Sequence, residues 1–338
     1  MDYATEAQVA EAQTQIKRLT EALNQILFGQ EELIEFVING ILARGHILLE
    51  GLPGLGKTEL VKGLSKTLVL ENKRIQFTPD LLPGDITGNP LLQEKDGRRE
   101  FVFQPGPLFS NIVLADEINR ASPKTQSALL EAMQEHRVTV LGETHPLPSP
   151  FFVLATQNPI ELEGTYPLPE AQLDRFLFKL DVKKNSVAAL EKIVNHRELG
   201  VEPQVDPVLA KSHLEAVTGI VRQVYLPEVV ANYIARLVDA THAGEAEATK
   251  AVKFGASPRA ALSLASAAKA RAVMNGRTNA SFEDVKTVAP AVLRHRMVLS
   301  YSARIDGATT DSVITALLDE IPFQTTGTPR PLTSTTDA

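Results

Sequence analysis

The chain has no cysteine and no tryptophan, and only 5% of its 338 residues are aromatic. Without cysteine there is no disulfide framework, no thiolate zinc site and no thiol nucleophile. A reducing compartment suits such a chain. The shortage of aromatic rings leaves few platforms on which single-stranded nucleic acid would stack. No apolar run is long enough to cross a bilayer as a helix. The first residues, Met1 to Glu6, lack a basic stretch followed by an apolar one, so no signal peptide is expected. The cytoplasm is therefore the expected location. Positive charge is also short: 34 Lys and Arg stand against 41 Asp and Glu, a net charge of −7. That argues against a broad nucleic-acid-binding face. The seven His show no ligand-spaced cluster, and neither H-E-x-x-H nor G-x-S-x-G occurs.

The length is comfortable for two domains. Glu6 to Ile41 carries apolar residues at helical spacing, broken at Phe28-Gly29, and reads as two helices. Short apolar runs follow at His46–Glu50, Arg74–Phe77, Ile112–Ala115, Phe151–Ala155 and Phe176–Leu180. They are mostly continuous rather than alternating, the pattern of strands covered on both faces. Helical stretches, Glu59–Leu70 and Ser122–Glu135, lie between them, so a parallel sheet in an α/β sandwich is expected. Ser122-Pro123 reads as an N-cap and first-turn pair. Gly84–Phe103 and Arg137–Pro150 look like inserted hairpins. Beyond Val182 strand signals stop. Lys183–Ser186 reads as a linker to an all-α domain with helices at Pro207–Val224, Pro227–His242, Ser257–Asn275, Ser281–Met297 and Asp311–Ile321. The expected division is 1–182, 183–322 and a disordered tail, 323–338, rich in Thr and Pro.

Two segments carry chemistry. Gly51-Leu52-Pro53-Gly54-Leu55-Gly56-Lys57-Thr58 matches G-x-x-x-x-G-K-[ST] and sits between an expected strand and an expected helix. Its glycines let backbone N–H groups turn inward around a phosphate chain, and the following helix adds its positive N-terminus. Lys57 would reach the β- and γ-phosphates and the Thr58 hydroxyl would ligate Mg²⁺. Ile112–Ala115 ends in Asp116-Glu117. Asp116 fits a partner of the metal, and Glu117 can polarise an attacking water. Alone, an acid pair after a strand is also a common solvated turn.

These motifs, with Ala115-Asp116-Glu117-Ile118-Asn119-Arg120, Ala155-Thr156-Gln157-Asn158-Pro159, Leu173-Asp174-Arg175-Phe176 and Ser257-Pro258-Arg259, resemble the AAA+ ATPases, and the MoxR family in particular. The resemblance runs from about Asn24 to Ile321. It implies a five-stranded sheet in the order 5-1-4-3-2, helix-2 and pre-sensor-1 hairpin inserts, and an all-helical lid. It implies Mg²⁺-dependent hydrolysis of ATP to ADP. By the same resemblance Gly51, Pro53, Gly54, Leu55, Gly56, Lys57, Thr58 and Glu59 surround the phosphates, and Phe28, Gly29 and Gln30 cradle the adenine. Asn158 resembles sensor 1, or caps the turn before Pro159. Arg175 resembles the finger that acts on a neighbour's nucleotide, or pairs with Asp174 or Glu170. Arg259 resembles sensor 2, or is a solvated helix-start residue. Arg120 contacts a neighbour or salt-bridges locally. The family resemblance further implies a ring, usually hexameric, that remodels, matures or inserts metal into partners with von Willebrand factor A domains. No nucleic acid and no membrane span are expected. A helicase-related nucleic-acid motor and a slow nucleotide-gated binding module are the competing readings.

Overall fold

In a computed structural model of the chain, the described residues are 3–51, 54–95, 98–158, 164–198, 201–242, 244 and 247–323. The chain opens with α1 (Glu6–Asn24) and α2 (Glu31–Leu42), then β1 (Ile47–Glu50), α3 (Lys57–Leu68), β2 (Asn72–Gln76) and α4 (Pro83–Thr87). The hairpin β3 (Gly88–Lys95) and β4 (Arg98–Pro105) leads to β5 (Ile112–Asp116) and α5 (Pro123–Glu135). A second hairpin, β6 (Arg137–Val140) and β7 (Glu143–Pro146), precedes β8 (Phe152–Gln157), α6 (Glu170–Leu173) and β9 (Phe178–Asp181). The remainder comprises α7 (Val187–His196), α8 (Lys211–Gln223), α9 (Glu228–Asp239), β10 (Val252–Phe254), α10 (Pro258–Met274), α11 (Phe282–Leu293), β11 (Val298–Leu299), α12 (Tyr301–Ile305) and α13 (Thr310–Glu320).

The five apolar runs form one parallel sheet in the order β2-β5-β8-β1-β9. Numbering only those strands along the chain gives the expected 5-1-4-3-2. Alternate residues of each strand serve opposite faces. Ile47, Leu49, Ile112, Leu114 and Leu154 join a core with α1, α2 and α3; Leu48, Val113, Ala115, Val153 and Ala155 join another with Leu129, Leu130 and Met133 of α5. Covering on both faces is why β1, β5 and β8 read as unbroken apolar runs; β2, at the sheet edge, exposes Lys73 and Arg74. Both inserted segments are antiparallel hairpins, stacked through Phe103 and His145 with ring centroids 3.9 Å apart. Ser122 does cap α5, accepting from the Thr125 N–H, with Pro123 in the first turn.

The region after β9 is helical, with two additions. β10 and β11 form a short antiparallel ribbon. Strands of three and two residues are too short to show any period in sequence. The segment after the linker is the helix α7, capped by Ser186, whose hydroxyl accepts from the Ala189 N–H. The N-terminal helices lie against α10: the Gln13 amide donates to the Met274 carbonyl (3.3 Å) and the Asn39 amide to that of Ala267 (3.1 Å). The expected tail beyond Phe323 lies outside the described residues.

His46 shows how the sheet is locked at its other end. Its Nδ1 accepts from the Val153 N–H (3.0 Å) and its Nε2 faces the Met133 carbonyl (3.1 Å), so the neutral Nε2–H tautomer satisfies both. Burial pulls its pKa down to about 4, against a smaller upward pull from the Met133 carbonyl. Below pH ~6.5 the unfolded chain binds a proton that the folded chain refuses. Stability is therefore complete above pH ~6.5 and is lost as pH falls toward 4, by about 3 kcal/mol from this group. His295, sealed against Phe176 and also pushed well down by burial, acts with the same sign. Thermal melts from pH 7 to 4 check this, with an imidazole NMR titration expected to show His46 neutral at pH 5.

Candidate functional site

The carboxyl ends of β1, β5 and β8 lie side by side, and the glycine-rich segment leaves the first of them. Gly54 and Gly56 both take positive φ, 82° and 83°, a backbone open to glycine. At Gly56 the restriction is double: an added Cβ would stand 2.4 Å from the Leu27 side chain. Gly56 is also the N-cap of α3, and no side chain caps that end. The first N–H groups of α3 are thus left for a ligand, with the helix dipole behind them. Lys57 opens the helix and turns back across the loop, its ammonium 2.6 Å from the Gly51 carbonyl. Burial lowers its pKa while Asp116 and Glu117 raise it. The lysine therefore sits in the field of the acid pair. Pro53 lies outside the described residues.

Asp116 ends β5 and Glu117 follows it. The Thr156 hydroxyl, on β8, donates to Asp116 Oδ1 (2.6 Å) and accepts from the Glu117 N–H (2.9 Å). One side chain thereby fixes both acids. Glu117 is left-handed, φ 57° and ψ 49°, at a cost of about 1–2 kcal/mol for a side chain with a Cβ. Its Oε2 accepts from Gln76 Nε2 (2.9 Å) and from Arg120 Nη1 (3.0 Å). Arg120 is therefore in contact with its own chain's Glu117. Arg74 donates to Asp116 Oδ2, with Nη2 at 2.7 Å. Asn158 is buried just past the end of β8, at the same sheet edge.

A cavity of about 430 Å³ runs beside the glycine loop, lined by Gly54, Leu55, Gly56, Glu59 and Phe28 with Asn185, Ile193 and Arg197 from the α7 region. The structure thus brings Phe28 to the phosphate-loop segment. Gly29 and Gln30 lie next to Phe28 in sequence but make other contacts. A Cβ on Gly29 would stand 2.4 Å from that of Ala189 on α7. The Gln30 amide is buried and donates to the Lys183 carbonyl (3.0 Å) and Asn185 Oδ1 (2.8 Å). Gly29 thus packs on α7 and Gln30 on the segment before it, and both line a neighbouring cavity of about 420 Å³ rather than the one beside Phe28. Arg197 closes the wall, its guanidinium 5.4 Å from the Phe28 ring centroid and donating to the Gln25 and Ile26 carbonyls. The cavity's α7 wall escaped the sequence reading, although Ser186 followed by Val187, Leu190 and Val194 at helical spacing signals it.

Arg175 and Arg259 are not at this edge. β1 and β9 run parallel with Ile47 opposite Phe178. The glycine loop leaves the far end of β1, whereas Arg175 lies just before the start of β9. Four strand residues separate the two levels, roughly 13 Å. Arg175 Nη1 donates to the Leu130 carbonyl (2.7 Å) in a cavity of about 420 Å³ shared with Glu131, Glu135 and Arg137. The Arg259 guanidinium is half-exposed and 3.9 Å from Asp174, at the same end. Asp174 does not pair with Arg175. It holds Ser257 and Arg296 instead.

The residues present fit a nucleotide with Mg²⁺: uncapped helix N–H groups, a lysine beside two carboxylates, a threonine hydroxyl in the first helical turn and an adjoining cavity. Comparisons with known proteins point to an AAA ATPase. Residues 46–178 match the profile "ATPase family associated with various cellular activities (AAA)" and residues 244–317 match "AAA lid domain". The chain is 42% identical to the Bacillus subtilis protein YeaC over 90% of its own length and 93% of that protein's. It is 43% identical to the chaperone MoxR1 of Mycobacterium tuberculosis, covering 94% of this chain and 84% of the relative. A crystal structure from Cytophaga hutchinsonii superposes with a TM-score of 0.88 at 40% identity, over 95% of this chain and 98% of that one. Among the described residues no helix is long and apolar enough to cross a membrane.

Proposed function

Because the chain belongs to the MoxR family of AAA+ ATPases, we propose that it hydrolyses ATP to ADP and phosphate in a Mg²⁺-dependent ring, six-membered in the usual family form. The core is taken as residues 1–182 and the lid as 183–322. Lys57 and the N–H groups from Gly54 to Thr58 hold the β- and γ-phosphates. Phe28 lines the adenine end. Thr58 and Asp116 hold the Mg²⁺, which when bound offsets negative charge on the phosphates. Glu117 polarises the attacking water and Asn158 orients it. Catalysis is then positioning plus electrostatic stabilisation.

The observation that carries this reading is the split of charges across the sheet. The acids and Lys57 gather at the carboxyl edge. Arg175 and Arg259 gather at the other, roughly 13 Å away. Arg175 is bonded to the Leu130 carbonyl and Arg259 lies beside Asp174, both at the end of the sheet opposite the phosphate loop, and on this reading each serves the nucleotide of a neighbouring copy. The work done with that energy is chaperone-like remodelling, maturation or metal insertion of a partner protein carrying a von Willebrand factor A domain. The chaperone name of the mycobacterial relative supports it. So does the first hairpin, which presents paired and exposed Leu92 and Phe101.

Phosphate release measured against protein concentration, with and without Mg²⁺ and duplex DNA, tests the proposal. Turnover is expected to need the metal, to rise more steeply than protein concentration and to be indifferent to DNA. Release strictly proportional to protein concentration at all dilutions would sink the shared site. DNA-stimulated turnover with a steep salt slope would replace the chaperone reading by a nucleic-acid motor.

A further inference from the structure

Asp174 directly precedes Arg175, and its carboxylate is held by the lid. Oδ2 accepts from the Ser257 hydroxyl (2.9 Å) at the start of α10, and Oδ1 accepts from Arg296 Nε (2.8 Å) beyond the end of α11. The Arg296 side chain is only 1% exposed. Its other donors are spent on the same turn: Nη2 donates to the carbonyls of Asp174 (3.2 Å) and Phe176 (2.6 Å), and Nη1 to that of Leu177 (3.1 Å). Two further bonds, to the Ser263 hydroxyl (3.1 Å) and the Val292 carbonyl, tie the guanidinium to α10 and α11. One planar group thus grips the backbone on both sides of residue 175 and two lid helices at once.

Stability alone does not call for this arrangement. Burying a guanidinium and a carboxylate costs desolvation, and apolar packing of the same volume is often as stable or more so. What the fork supplies is direction: bonds to residues 174, 176 and 177 fix the backbone from which Arg175 projects, while the Leu130 carbonyl receives its tip. Arg259, 3.9 Å from the same Asp174 carboxylate, is set by the same hub.

We propose that Arg296 is a positioning residue for hydrolysis: it holds the Asp174–Leu177 turn so that Arg175 and Arg259 face the neighbouring copy's nucleotide, and it makes that aim depend on the orientation of the lid. The inference rests on the reading of Arg175 as acting on a neighbour. A lysine cannot replace it, because one ammonium cannot bridge carbonyls on both sides of the turn with fixed geometry.

Complementation between full-length variants tests it. Arg296→Met should bind ATP with parental affinity, since its phosphate loop is untouched, and turn over roughly 10²-fold more slowly, the scale of an ångström-sized misplacement. Arg296→Lys should share the defect. Mixed with Glu117→Gln, Arg296→Met should regain activity, because its intact Glu117 meets an intact neighbouring Arg175. Mixed with Arg175→Ala it should stay inactive, because neither partner presents a correctly placed finger. Rescue by Arg175→Ala, or parental turnover in Arg296→Met alone, overturns the proposal. The control is Arg175→Ala mixed with Glu117→Gln. If that pair stays silent, the shared-site reading falls and this inference with it; if it is active, only the sorting of Arg296→Met is at stake. Should Arg296→Met not fold, Asp174→Asn, which keeps the side chain's shape, enters the same assay with the same expected sorting.

Discussion

Glu117→Gln is expected to bind ATP as tightly as the parent and to release phosphate roughly 10²–10⁴-fold more slowly, the usual contribution of a general base. The glutamine keeps the length of the side chain and an oxygen for Gln76 Nε2, which donates to Glu117 at 2.9 Å. It cannot take a proton from water. The left-handed backbone at Glu117 and the Thr156 hydroxyl that caps its N–H should remain in place, and only the ion pair with Arg120 loses its negative partner. Lys57→Ala should behave in the opposite way. It removes a charged contact to phosphate, worth about 1.5–3 kcal/mol, and should weaken ATP binding by roughly tenfold to a hundredfold. Nucleotide affinity and phosphate release, measured on each, separate the two roles. Parental turnover in Glu117→Gln would remove the base from Glu117. Parental affinity in Lys57→Ala would remove the phosphate contact from Lys57.

Much of this architecture was legible before any coordinates. The central strands β1, β5 and β8 declared themselves as short apolar runs because both faces of the sheet are covered there, as the burial of Leu48 with α5 and of Leu49 with α2 shows. The phosphate loop was legible because only a few residue types permit its backbone, and Gly54 and Gly56 do take positive φ. What stayed hidden has a physical reason in each case. α7 escaped although Ser186 and the helical spacing of Val187, Leu190 and Val194 mark it in sequence; in the fold Val187 and Val194 stay exposed, 83% and 79%, so it is not a helix of the core. Gln76 escaped because its contact with Glu117 depends on β2 lying beside β5, a pairing that a strand's own sequence does not encode. Arg296 is the extreme example. Leu293-Arg294-His295-Arg296 reads as the polar end of a helix, yet Arg296 is buried against Asp174, far away along the chain. Helix-end arginines are ordinarily solvated, and nothing local separates this one from them. The family resemblance supplied roles for Phe28, Gly29 and Gln30 as a set. The structure divides them, with Phe28 on the wall of the cavity beside the glycine loop, Gly29 against α7 and Gln30 bonded to the segment before it.

Arg175→Ala should bind ATP as the parent does and hydrolyse it roughly 10³–10⁵-fold more slowly, a loss of about 4–7 kcal/mol of transition-state stabilisation. The position of the side chain makes the defect one of assembly. Arg175 precedes β9 while the phosphate loop follows β1, and the two strands are parallel neighbours, so Arg175, bonded to the Leu130 carbonyl, sits at the opposite end of the sheet from that loop. On the proposed reading activity belongs to an interface, and two inactive variants should repair each other. In mixed rings of Arg175→Ala and Glu117→Gln, some interfaces bring an intact Glu117 together with an intact neighbouring Arg175, and partial turnover should return. A purely structural arginine makes a different set of forecasts. Its role would be the bond to the Leu130 carbonyl at 2.7 Å, beside Glu131 and Glu135. Losing that bond would lower stability by about 1.5–3 kcal/mol and would not be cured by mixing. Thermal unfolding of Arg175→Ala and phosphate release from the mixture are thus read together. A mixture that stays inactive while labelled subunits are seen to exchange would reject action on a neighbour. Rescue without any change in the melting temperature would leave the Leu130 contact as the resting place of a side chain whose work is done on another copy.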